Sequence, residues 1–365
     1  MPTKYPHSLS KMKILKLIFL MALSVSALSC NGNAPSIQLL DATEFAEYIQ
    51  MTPNLTLVDV RSPEEFAAGH IPGAINIDFS DEDFVEDLMT KVAADKHLAI
   101  YCRTGHRSGE AAETLKAKGR SVMELKGGII EWQNVLLPLT TGKEDLYLTP
   151  GGKNVTIQPL IHASIRIVFD GKEIEVDPVG TLGNRTTDYS QMPKADLILV
   201  THEHHDHLDP AAIKTLSKAD TIVIANPNSA EILGYGMAMR NGDRKTLADG
   251  IELEAVPAYN TSADKLQFHP RGRDNGYILS LDGLRIYIAG DTEPIPEMKD
   301  LGKIDIAFLP CNLPYTMTPS QLIEAARIVR PGVLYPYHFG TTDLSSITPA
   351  LAPDGIYVRI CPFDP

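Results

Sequence analysis

Basic charge, long apolar runs and repeats are what this sequence lacks. Lys and Arg number 33 against 46 Asp and Glu, a formal net charge of −13. So acidic a surface repels phosphate backbones, which excludes nucleic acid as a partner. No internal repeat or low-complexity tract occurs, and 44% hydrophobic with 22% charged residues is the composition of a folded chain, not a disordered one. The longest apolar run, ILKLIFLMALSVSAL, is too short to span a bilayer comfortably, which takes about 20 apolar residues. A chain of 365 residues corresponds to roughly two domains.

That run follows Lys11 and Lys13, contains Lys16, and stops at Ser29-Cys30. Basic flank, short apolar stretch and small-residue end read as a secretory signal peptide over residues 1–29. The final ALSC resembles a bacterial lipobox, which implies a lipid on Cys30 and a periplasm-facing place in the cell envelope. Cleavage there removes four lysines and no acid from a chain of net −13, leaving −17. Anionic headgroups repel such a protein, so lipid alone would hold it on the membrane. Of the other cysteines, Cys311 and Cys361 are either a pair in an oxidising compartment or two buried thiols.

Turn-rich residues 140–153 separate two blocks, and residues 30–36 lead into the first. Block one, 37–139, alternates apolar strands (LTLVDV, HLAIYC) with amphipathic helices such as RSGEAAETLKAKG, the pattern of a parallel sheet. Block two, 154–365, opens with two strands around Asp170-Gly171, a hairpin signal, and mixes further strands (DLILV, RIYIAG, IDIAFLP) with helices.

In YCRTGHRS, Cys102 closes a strand and Arg107-Ser108 open a helix. The intervening amides form an anion cradle at the positive end of the helix. Together with Arg103 and Arg107 they favour a thiolate. VDVRSPEEFAAGHIPGAINI, YCRTGHRS and LKGGIIEW together resemble a single-domain rhodanese. That likeness implies a sulfane sulfur carried on Cys102 as a persulfide, taken from a sulfane-sulfur donor and cradled by Arg103, Thr104, Gly105, His106 and Arg107. It leaves Asp59 and Arg61 a structural role. Related phosphatases place their arginine six positions after the cysteine. Here it is five, and the tighter loop favours sulfur over phosphate.

THEHHDHL, residues 201–208, follows the buried strand DLILV and precedes Asp209-Pro210, a helix cap and first-turn proline. Imidazoles and a carboxylate gathered in one turn suit zinc, with iron or manganese as alternatives. The metalloprotease pattern HExxH fails, because Asp206 stands where its second histidine would be. HxHxDH resembles the metallo-β-lactamase fold, an αββα sandwich. By that likeness His202 and His204 hold one metal with His269, the one histidine between the cluster and IAGDTE. Asp206, His207 and His338 hold a second, and Asp291 bridges. His162 and Asp177 are expected behind the ligands or, for His162, against substrate.

The HAS…DP opening, PAYN, RIYIAGDTE and YPYHF resemble the branch containing ascorbate-6-phosphate lactonase and N-acylphosphatidylethanolamine phospholipase D. The implied function is hydrolysis of an ester, lactone, amide or phosphodiester in a small-molecule substrate by two divalent ions, with Asp206 in the machinery. Two alternatives stay open: a persulfide dioxygenase with one iron, and a sulfurtransferase whose second domain is not catalytic. The fold class expected is α/β, a rhodanese-like parallel-sheet domain followed by the αββα domain.

Overall fold

The computed structural model describes residues 34–247 and 250–361; residues 1–29, expected to be a signal peptide, and Cys30 lie outside the described residues. No helix among the described residues is long and apolar enough to cross a membrane.

The first domain is a parallel five-stranded sheet of order β1-β5-β4-β2-β3. Its strands are β1 (Ile37–Leu40), β2 (Leu55–Asp59), β3 (Ile75–Asn76), β4 (His97–Tyr101) and β5 (Val122–Leu125). Helices α1 (Ala42–Met51), α2 (Pro63–Ala68), α3 (Phe84–Lys91), α4 (His106–Ala117) and α5 (Gly128–Asn134) connect and flank them. Capping boxes start α1 at Asp41 and α2 at Ser62, where side-chain oxygens take the orphan amides of the first turn.

The second domain packs two sheets face to face. One has the order β15-β14-β13-β10-β9-β8-β7-β6, built from β6 (Leu139–Thr140), β7 (Asp145–Leu148), β8 (Asn154–Pro159), β9 (Ile165–Phe169), β10 (Lys172–Val176), β13 (Leu197–Val200), β14 (Ile222–Ala225) and β15 (Met237–Ala238). A small ribbon of β11 (Thr181–Leu182) and β12 (Arg185–Thr186) lies apart from it. The other runs β16-β17-β18-β19-β20-β21-β22: β16 (Arg244–Thr246), β17 (Ile251–Ala258), β18 (Asp274–Leu281), β19 (Leu284–Ile288), β20 (Ile306–Pro310), β21 (Val333–Tyr337) and β22 (Tyr357–Val358). Helices α6 (Pro210–Leu216) and α7 (Pro227–Leu233) belong to the first sheet's side; α8 (Pro319–Val329) and α9 (Ile347–Leu351) cover the second. The expected hairpin is present: β9 and β10 pair Phe169 with Lys172, and Asp170 (φ 51°) and Gly171 (φ 78°) both take the left-handed backbone a tight two-residue turn needs.

Two features differ from a reading of two blocks and a connector, and the two later cysteines take the second of the arrangements open to them. Residues 140–153 contain a hairpin, because β6 and β7 extend the first sandwich sheet. The sandwich core is also continuous with the first domain. One buried cluster holds Phe45, Trp132 and Leu137 together with Ile157, Phe308 and Tyr357. The Trp132 ring stands edge-on to Tyr357 at 5.6 Å, and the Gln50 amide donates to Val358 O at 2.8 Å. Finally, Cys311 and Cys361 are free, buried thiols. They sit in different clusters on opposite faces of the second sheet, and burial pushes each thiol up to about 12.

Candidate metal centre and sulfur loop

The ligand-bearing turns lie at ends of strands. β13 is buried along its whole length, and the chain leaves it at Thr201 to make the tight turn His202–Leu208, closed by His207 N–H and Leu208 N–H donating to His204 O. Asp209 then caps α6, accepting from the Ala211 and Ala212 amides. Asp291 follows β19, and His338 follows β21.

These turns bring the expected residues together in three overlapping groups. The ligand atoms of His202, His204 and His269 lie within 4.8 Å of one another, as do those of His162, Asp206, His207 and His338, and those of His202, His207 and Asp291. Asp291 straddles the centre, with Oδ1 3.4 Å from His207 Nε2 and Oδ2 3.3 Å from both His269 Nε2 and His338 Nε2. His205, the remaining histidine of the motif, is exposed.

The donor set fits a cation on its own terms. His207 Nε2, Asp291 Oδ1 and both ring nitrogens of His338 are buried without a hydrogen-bond partner. Stranding several polar atoms costs about 1–3 kcal/mol apiece, so their convergence calls for a shared positive ligand. Three residues here also hold left-handed backbone without being glycine: His162 (φ 57°), Asp177 (φ 43°) and His338 (φ 49°). Such strain persists where surrounding structure imposes it.

Behind the candidate ligands three of the far ring nitrogens are committed. Asp177 Oδ2 lies 2.7 Å from His207 Nδ1, and Thr201 donates its amide and hydroxyl to the two Asp177 oxygens, each at 2.7 Å. The same hydroxyl oxygen is 3.0 Å from His202 Nδ1. Asp274 Oδ2 lies 3.1 Å from His269 Nδ1, and Arg273 grips Asp274. Each contact frees Nε2 to face the centre and fixes the ring plane. Burial lowers the affinity of His207 for a proton, yet Asp291 and Asp177 outweigh it and raise the imidazole well above its ordinary value. His202, buried beside His207, falls well below.

His162 sits closer to the centre than a place behind the ligands would put it. Its Nε2 is 3.0 Å from Asp206 Oδ2, its ring lies 3.7 Å from that of His338, and burial pushes it down to about 4.

Two residues that matter here were given no role by the sequence. Glu293, two positions after Asp291, is fully buried. It accepts from Thr261 N (2.8 Å), Ser262 N (2.6 Å), Ser262 Oγ (2.7 Å) and Gln321 Nε2 (3.0 Å). It also pairs at 2.9 Å with the buried ammonium of Lys265, which reaches on to Thr316 O. Glu293 thus ties down the loop that delivers His269. The second residue, Glu124, lies under the sulfur loop.

In that loop Cys102 is 1% exposed, and its Sγ accepts from the Gly105 amide at 3.2 Å. Gly105 (φ 93°) turns the amide inward, and a Cβ on Gly128 would strike Cys102 O at 2.5 Å, so glycine is needed there. Arg103, Thr104 and His106 are exposed around the mouth. Arg107 differs from the expectation of a guanidinium free for the sulfur: Glu65 holds it in a two-pronged ion pair at 2.7 and 2.9 Å, which offsets its charge. Asp59 and Arg61 form a buried pair, with Arg61 also donating to Gly69 O, a structural role.

A Beta-lactamase superfamily domain model matches residues 156–338, just over half of the 365 residues, and a Rhodanese-like domain model matches residues 41–135. The chain belongs to the beta-lactamase superfamily as a metal-dependent hydrolase with a rhodanese-like domain before it. Its relatives are the UPF0173 metal-dependent hydrolases. That of Thermococcus onnurineus is 34% identical over 202 residues, 51% of this chain and 85% of the relative. The Ligilactobacillus salivarius protein is 33% identical over 185 residues, 49% and 83% of the two chains. A solved Parabacteroides distasonis structure, described as a metal-dependent hydrolase, shares 54% identity over 60% of this chain and 97% of its own, with a TM-score of 0.58.

Proposed function

We propose that the second domain is a two-metal hydrolase of ester, lactone, amide or phosphodiester bonds, and that the first is a sulfurtransferase working through a Cys102 persulfide. The observation that carries the hydrolase reading is Asp291, whose two oxygens face a three-histidine group on one side and the Asp206–His207–His338 group on the other. By this reading His202, His204 and His269 hold one divalent ion, Asp206, His207 and His338 hold another, and zinc suits both, with manganese or iron able to replace it. Bound there, the ions supply acidified water and a counter-charge for the oxyanion. By the same reading Asp206 and His162, hydrogen-bonded to each other, take and pass a proton. Thr201, Asp177 and Asp274 keep the imidazoles in one tautomer.

Full-length protein should contain close to two ions per chain and hydrolyse members of a panel of esters, lactones and phosphodiesters. One iron per chain, with oxygen uptake on a persulfide, would instead make it a dioxygenase. Cys102→Ser should abolish thiosulfate:cyanide sulfur transfer and leave hydrolysis intact; loss of both would mean the two sites are one. The lipid anchor on Cys30 is part of the same proposal, and palmitate labelling that survives Cys30→Ser would remove it.

A further inference from the structure

Beneath the sulfur loop lies a carboxylate that the persulfide chemistry above leaves idle. Glu124, on β5, is 4% exposed. Its Oε1 is 2.7 Å from Ser108 Oγ, and that hydroxyl is 3.4 Å from Cys102 Sγ. A serine hydroxyl has one proton to give and two lone pairs to accept with. With Glu124 ionised, that proton belongs to Oε1, since a bond to a charged acceptor is about twice as strong as a neutral one. Ser108 Oγ is then left to accept from the Cys102 thiol, and a line from thiol through hydroxyl to carboxylate is complete.

We propose that Glu124 is a positioning residue that receives the Cys102 proton through Ser108 when the cysteine takes up sulfur. The inference rests on the sulfurtransferase reading of this domain. In the step, the thiol proton moves to Ser108 Oγ as the serine proton moves to Glu124 Oε1. The thiolate attacks the outer sulfur of a sulfane donor such as thiosulfate. A bond from Cys102 to that sulfur forms, the donor's sulfur–sulfur bond breaks, and sulfite leaves with the electron pair. An acceptor nucleophile such as cyanide then removes the outer sulfur and restores the thiolate, which Glu124 can reprotonate. No external oxidant or reductant is needed.

The surroundings leave the relay alone. Burial raises the Glu124 carboxyl above its ordinary value, with Ser108 partly opposing it, so the group is a better proton acceptor than a solvated glutamate. Neighbouring β1, IQLL, offers no titratable side chain. β4 offers His97, which is exposed, and Tyr101, whose hydroxyl accepts from the Ile71 amide. On α4, Arg107 acts on Cys102 but is clamped by Glu65 and also feels Asp78. His106 and Glu110 are exposed and face each other at 3.9 Å, and Arg103 on the loop is exposed.

Two coupled groups release their protons in two macroscopic steps. The test is the rate of iodoacetamide alkylation of Cys102 against pH in the full chain, with Cys102→Ser as the blank. The wild type should rise in two steps, and Glu124→Gln and Ser108→Ala should each rise in one. In thiosulfate:cyanide transfer near pH 7, Glu124→Gln should lose about 100-fold in kcat, the low end of what a positioned proton acceptor gives, with KM little changed. A Glu124→Gln profile that overlays the wild type overturns the relay. If Glu124→Gln does not fold, Ser108→Ala carries the same test. Absence of sulfur transfer in the wild type, with the two-step profile intact, would overturn the sulfurtransferase reading and not the relay.

Discussion

Removing the Glu293 carboxylate should release the loop that carries His269. Glu293→Ala deletes acceptors for the amides and hydroxyls at Thr261 and Ser262 and leaves the Lys265 ammonium, itself 7% exposed, without its counter-ion. Breaking a buried pair by removing one partner costs about 3–5 kcal/mol. In a domain of this size each kcal/mol moves the midpoint by about 2–4 °C, so thermal melts should fall by about 6–20 °C. Glu293→Gln keeps one acceptor oxygen but not the charge, and should lose roughly half as much by the same ion-pair argument. The consequence for function is specific: with its loop unpinned, His269 no longer faces His202 and His204. Metal analysis of the folded variant should show one ion lost in preference to the other. The reasoning is refuted if Glu293→Ala melts within about 1 °C of the wild type and retains its full metal content.

Other perturbations address the rest of the molecule. Glu175 is 1% exposed with both oxygens unpartnered, and burial pushes it up to about 8. The folded state therefore holds its proton more tightly than the unfolded chain does, and stability drains away as pH rises from about 4.5 to about 8. Glu175→Gln should gain under about 1 kcal/mol at pH 5, about 3 kcal/mol at pH 7 and close to about 5 kcal/mol well above pH 8; a gain that does not change with pH between 5 and 9 would show that the carboxyl is not desolvated. Stripping metal with a chelator should lower the melting point by the equivalent of about 4 kcal/mol if free metal had stood at 1,000 times its Kd, and adding metal back should restore it. Asp291→Asn should bind less of both ions, whereas His204→Ala should spare one; equal losses in the two variants would argue against a bridging carboxylate. Arg359→Ala leaves Asp145 buried without the guanidinium that holds it at 2.8 and 2.9 Å. A loss of about 3–5 kcal/mol is expected in denaturant melts.

Much of this was legible in the chain because the signals are local. Asp170-Gly171 specifies its own turn, Asp209-Pro210 its own helix start, and HxHxDH places its ligands within six residues of backbone. His269 was reached only through a family likeness, since the loop that carries it has no regular pattern. What stayed hidden are groups whose partners are remote. Glu293 is read by Thr261, Ser262 and Gln321, some thirty positions away on either side. Glu124, in a strand that is buried at every position but Met123, looks like any polar strand residue until Ser108 is laid against it. Residues 140–153 misled for a different reason. The alternation in Asp145–Leu148 is short, and the flanking Gly142, Gly151 and Gly152 speak for turns more loudly than four residues speak for a strand.

The seam between the two domains makes separate handling of them unsafe. Phe45, Trp132 and Leu137 are buried in the same cluster as Tyr357 and the sandwich interior, so a protein cut near residue 140 would yield two pieces, each with a raw apolar face. A sulfur-transfer rate measured on an excised first half, or a melting curve of an excised second half, would describe a damaged surface as much as an active site. The seam also carries its own reporter. Trp132 is the one tryptophan in the chain, edge-on to Phe45 on one side and Tyr357 on the other, so intrinsic fluorescence reads the joint without a label.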